Sequence, residues 1–163
     1  MRYRTFEYRH AESILNASHR LKKEIERILA QLELDLPRLH ANNDVARPHN
    51  QIQRAFLRYG WQAEVLVTPR TAQRHYFDLY KDRVAIEIEL SNRALLYRDY
   101  MRFQLAEADG RIDVGVILLL DEEARYVHPW GMRNALPRLE DAMDDLNSLR
   151  NVVGVPIWVV ALC

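Results

Sequence analysis

The chain has one cysteine among its 163 residues, and it is the last of them, Cys163. That excludes a disulfide framework and a thiolate metal cluster. No run approaches the roughly eighteen consecutive apolar residues that a membrane-spanning helix needs. The opening residues, Met-Arg-Tyr-Arg-Thr-Phe-Glu-Tyr-Arg-His, alternate charged and aromatic side chains. They have no apolar centre, so they do not read as a secretory signal. These absences suit a cytoplasmic protein with no membrane partner. Nothing repeats, nothing is of low complexity, and no stretch is rich enough in Pro, Gly or Ser to act as a linker. Residues 1–163 therefore read as a single domain of ordinary size. The six histidines show no metal-ligand spacing. Net charge is missing too, with 23 basic and 23 acidic residues, which speaks against a nucleic-acid binder that relies on bulk positive charge.

What charge there is lies unevenly. Residues 47–106 hold ten Lys/Arg and six Asp/Glu, whereas residues 107–145 hold four and ten. Twenty of the 23 basic residues are arginine. Arginine suits bidentate phosphate and guanine contacts, so a neutral chain with a basic middle can still grip phosphates locally. A coding bias toward arginine would produce the same excess with no function behind it.

The hydrophobic pattern changes period along the chain. Residues 10–34 repeat Ile14, Leu15, Leu21, Ile25, Ile28, Leu29 and Leu32 at helical spacing, and Pro37 closes that region. Residues 38–48 read as irregular. A short helix follows over 50–59, with Asn50 and Gln51 at its start and Gly60 as its stop. Strands are expected over Ala63–Thr68, His75–Tyr80 and Val84–Leu90, with a tight turn at Lys81-Asp82. Residues 92–107 are helical again, Ile112–Leu120 is a buried strand, 133–149 a helix, and Val155–Leu162 a final strand. His128-Pro129-Trp130-Gly131 reads as a loop. The order predicts an α/β fold: a central mixed sheet of about five strands with helices on its faces.

Within Val84–Leu90 the alternation is strict. Val84, Ile86, Ile88 and Leu90 share one face; Ala85, Glu87 and Glu89 share the other. Glu87 and Glu89 then project side by side, roughly 7 Å apart at about 3.3 Å per residue. Such a pair repels itself unless a cation or solvent lies between. Asp78 precedes it on the neighbouring strand, and a hairpin brings Asp78 close to Glu87. Three carboxylates converging on one point would make a hard-cation site for magnesium or manganese. An alternating Glu pair also suits a solvated strand face, and spacing does not separate the two readings.

The chain resembles the BglII-type restriction endonucleases of the PD-(D/E)xK nuclease superfamily. The likeness begins in Tyr8-Arg-His10-Ala11-Glu-Ser-Ile14-Leu15-Asn16 and Lys23-Glu24-Ile25-Glu26. It passes through Asp78…Glu87-Ile88-Glu89-Leu90-Ser91-Asn92, and resumes at Leu146-Asn147-Ser148-Leu149 and Val155-Pro156-Ile157. The resemblance implies a restriction-endonuclease-like core and magnesium-dependent, type II hydrolysis of phosphodiester bonds in double-stranded DNA by a homodimer. It makes Asp78 and Glu87 the metal-binding carboxylates and the Ile88 carbonyl a further ligand. Glu89 stands where the BglII type has glutamine and the related BamHI type has glutamate, so it is expected to bind metal or take a proton from the attacking water. Glu64 fits the additional glutamate upstream of the BamHI-type motif. Ser91 and Asn92 match a pair that contacts DNA, and Arg93, Arg98 and Arg102 on the following helix read as phosphate contacts. The BglII enzymes continue past the final strand with a segment that helps wrap the DNA and read bases, so a chain that stops there is expected to cut with short or relaxed specificity or to need a partner chain. The alternative functions are a DNA-binding or regulatory module without activity, and a plain α/β domain whose glutamates face water.

Overall fold

A computed structural model describes residues 1–17, 21–34, 46–69, 74–121 and 136–163. Pro37, most of the segment expected to be irregular, the loop around Trp130 and the first residues of the 133–149 helix lie outside these. The described elements are β1 (Tyr3–Tyr8), α1 (Ala11–Ala17), α2 (Leu21–Ala30), α3 (Ala46–Leu57), β2 (Gln62–Leu66), β3 (Tyr76–Lys81), β4 (Val84–Ile88), α4 (Ala94–Ala108), β5 (Val114–Leu120), α5 (Leu139–Ser148) and β6 (Ile157–Leu162).

The strands form one six-stranded sheet in the order β1-β6-β5-β4-β3-β2. Strands β4, β5 and β6 run parallel; β1, β3 and β2 pair antiparallel at the flanks. Every residue of β4, β5 and β6 is buried, as expected of parallel strands covered on both faces. The pleat sorts β4 between two cores. Val84, Ile86 and Ile88 join α1, α2 and α3, while Ala85 joins α4 and α5. Trp61 and Trp158 both sit in the first core.

The mixed sheet flanked by helices is the architecture expected, with one strand more than the periodicity indicated. The addition is β1, which pairs Tyr3 through Tyr8 with Leu162 through Ile157. Its charged and aromatic alternation carries no apolar run because it is an edge strand, mostly open to solvent. The third helix starts earlier than predicted, at Ala46, so Asn50 and Gln51 lie inside it rather than capping it. Among the described residues no helix is long and apolar enough to cross a membrane.

Candidate active site

A two-residue turn builds the centre of the site. Asp82 and Arg83 join β3 to β4 with φ of 45° and 66°, the left-handed pair whose twist matches that of a hairpin. The turn falls one residue later than Lys81-Asp82. It sets the register Lys81↔Val84, Tyr80↔Ala85 and Leu79↔Ile86. One step further, Asp78 faces Glu87. The Asp78 Oδ2 accepts a hydrogen bond from the Ile88 amide at 2.7 Å. Its Oδ1 lies 3.2 Å from His49 Nε2 on α3. One turn along that helix, Gln53 Nε2 donates to the Asp78 carbonyl at 3.2 Å. Helix α3 thus grips Asp78 by side chain and backbone together.

Glu87 is 2% exposed, and its Oε1 accepts from Arg102 Nη1 of α4 at 3.2 Å. The same nitrogen lies 3.5 Å from Asp99 Oδ1, which also accepts from Arg98 Nε at 3.0 Å. Arg102 Nη2 lies 3.5 Å from His75 Nδ1. Burial pushes the Glu87 carboxyl well above the ordinary range; the charges of Asp99 and Asp78 push the same way, against Arg102. Burial also pulls Asp78 upward, but its hydrogen bonds to His49 and the Ile88 amide outweigh that and leave it below the ordinary value. Burial raises Asp99 to about 7 despite Arg98 and Arg102. The bond to Asp78 raises His49.

The other expected residues are spread around this pair. Glu89 is buried, but its Oε1 accepts from the Ser91 amide, the Ser91 hydroxyl and the Asn92 amide at 2.9–3.0 Å. The strand ends at Ile88, so Glu89 folds onto the turn that leads into α4 instead of pointing straight beside Glu87. Its Oε2 is 3.7 Å from Arg98. The Asn92 side chain accepts from the Ala94 amide at 2.9 Å, starting α4. Arg93 reaches away, to Asp141 at 3.2 Å and Asp145 at 3.4 Å. Glu64 is exposed on β2, in a left-handed backbone conformation (φ 54°), between the pairs Ala63↔Leu79 and Val65↔Phe77 and so level with Asp78. Two residues of the cluster escaped the sequence reading. Asp99 was given no role, although its i, i+3 spacing to Arg102 was a signal. His49 fell between the stretch read as irregular, 38–48, and the helix expected from residue 50, whereas it lies inside α3.

Among the described residues no three His, Cys, Asp or Glu side chains group as one metal site. Asp78 and Glu87 nonetheless fit magnesium. They are hard oxygen donors set opposite each other across the hairpin, and the charge of Asp78 helps raise the buried Glu87 carboxyl, which is an arrangement that a cation relieves. Magnesium is commonly held by one or two carboxylates, with water and substrate phosphate completing its shell, and so needs no full protein cage.

Three comparisons bear on this arrangement. The family profile described as Restriction endonuclease BglII/BglIII matches residues 3–162. The crystal structure of restriction endonuclease BglII complexed with a DNA 16-mer is similar at a TM-score of 0.77 and 22% identity, over 99% of this chain and 76% of that one. The crystal structure of free BglII is similar at 0.69 and 26%, over 100% and 80%. No curated protein matches the chain.

Proposed function

Since the chain belongs to the BglII/BglIII restriction endonuclease family, we propose that it is a type II enzyme that hydrolyses phosphodiester bonds of double-stranded DNA with magnesium as its cofactor. The observation that carries this reading is the Asp78–Glu87 pair: two carboxyls set opposite each other across the β3–β4 hairpin, one of them 2% exposed and raised by burial and by the charges of Asp99 and Asp78. Asp78, Glu87 and the Ile88 carbonyl would hold the ion, and manganese suits the same donors. The bound ion supplies Lewis-acid polarisation of the scissile phosphate and makes an adjacent water more acidic.

The chain's own residues supply the rest. His49 and the Ile88 amide hold the Asp78 carboxylate in one orientation. Ser91 and Asn92 fix one oxygen of Glu89, leaving the other to orient the attacking water and take its proton. Glu64, level with Asp78 on the edge strand, is placed to assist once DNA covers it. Attack is in line and leaves a 5′-phosphate. Ser91 and Asn92, both exposed at the strand end, and the outer side of Arg98 would meet the DNA. A homodimer would present one site to each strand.

The test is supercoiled plasmid incubated with magnesium and the full chain, beside Glu87→Ala. Cutting by the parent alone supports the reading. Binding without cutting by either protein points instead to an inactive DNA-binding module, and neither binding nor cutting rejects both. Sedimentation at micromolar concentration tests the dimer.

A further inference from the structure

Arg102 was expected at a phosphate, but its surroundings argue otherwise. Its side chain is 14% exposed. One nitrogen serves two buried carboxylates, Glu87 and Asp99, of 2% and 1% exposure. A second meets His75. The network is not saturated: Arg102 Nε and Asp99 Oδ2 are both buried without a hydrogen-bond partner. Guanidinium–carboxylate pairs are frequently bidentate, which this one is not. The guanidinium sits off-centre between two acids, on the carboxylate that the proposed function assigns to the metal.

We infer that Arg102 is the resident counter-cation of the site: it neutralises Glu87 and Asp99 while no divalent ion is bound, and it competes with that ion for Glu87. The physical reason is the cost of burying charge. Glu87 and Asp99 are buried away from water, with the half-buried Asp78 across the hairpin, and with no positive partner the fold would have to protonate them or open. A guanidinium on the same helix as Asp99 is always available. A divalent ion entering at Glu87 then meets a like charge already there. Glu87 becomes free for the ion as Arg102 transfers its remaining hydrogen bonding to Asp99, whose second oxygen has no other partner. Arg102 is thus a positioning residue that acts through Glu87. It makes the metal-free protein stable at the expense of metal affinity.

This inference rests on the reading of Asp78 and Glu87 as ion ligands. Titrating manganese chloride calorimetrically into the full-length parent, Arg102→Met, Arg102→Lys and Glu87→Ala tests both. The expected result is that Arg102→Met binds manganese at least about tenfold more tightly than the parent and melts lower in chelator, while Arg102→Lys stays near the parent in both. A mere structural role would move affinity the other way. Equal or weaker binding by folded Arg102→Met overturns the counter-cation role and leaves the ion site standing. Should Arg102→Met not fold, Arg102→Gln keeps hydrogen bonding, drops the charge and is judged by the same affinity criterion. No manganese binding by the parent, or binding that survives Glu87→Ala, overturns the ion site and the inference with it.

Discussion

Gly115 and Glu87 show what a single side chain decides here. A Cβ on Gly115 of β5 would lie 2.5 Å from the Phe103 ring. Phe103 has little room to yield, because it stacks on Phe77 with centroids 5.7 Å apart. The missing Cβ therefore sets how closely α4 approaches the sheet, and with it the reach of Arg102 to Glu87. Gly115→Ala should cost about 1–3 kcal/mol of overpacking in urea unfolding, and Phe103→Leu should restore part of it. An unchanged midpoint for Gly115→Ala would show that the ring moves freely. Glu87 makes the opposite kind of statement. Its folded pKa is raised, first by burial, so folding penalises the ionised form. The penalty is absent below the ordinary value of 4.5 and grows as pH rises above it. In chelator, Glu87→Gln should melt above the parent at pH 8 and close to it near pH 4.5. A gap that does not vary with pH would contradict this.

At the scale of elements, α5 illustrates how charge starts a helix. Asp141 accepts from the Arg138 amide at 3.2 Å, the reciprocal half of a capping box. The Arg138 guanidinium adds two bonds at 2.8–2.9 Å, and Arg93 reaches Asp141 from α4 at 3.2 Å. The Arg138 bond, against burial, holds the Asp141 carboxyl below 3.8. A depressed carboxyl contributes stability above its unfolded pKa and loses it as pH falls through the folded one. Asp141→Asn should therefore cost about 1 kcal/mol at pH 7 and progressively less below pH 4, read from chemical unfolding at each pH. The acidic run of α5 is in part the counter-charge for Arg93. Pairing between two helices leaves no trace in the periodicity of either.

For the whole molecule, binding and stability are one measurement. A ligand present at a hundred times its dissociation constant stabilises the folded state by about 2.7 kcal/mol. Magnesium should raise the parent's melting temperature accordingly and leave Glu87→Ala unmoved; a shift shared by both would place the ion elsewhere. The fold that holds this site was largely legible in the residues. Alternation in Val84–Leu90 put Glu87 on one face and Ile86 and Ile88 on the other, because the pleat has a period of two and both faces must be buried. The hairpin that set Asp78 against Glu87 was legible to within one residue of its turn. The N-terminal edge strand was not, because its partner β6 lies at the far end of the chain and its own mostly open face carries no apolar run. By itself, then, the sequence determined the strands other than β1 and the Asp78–Glu87 pairing, which depend on local periodicity and a short turn. Only the tertiary structure decided that Arg102 and Asp99 enter the cluster, that His49 grips Asp78 and that Glu89 turns toward Ser91. Those contacts depend on how closely α3 and α4 pack on the sheet, and that distance is set by residues such as Gly115, remote in the chain from the groups they bring together.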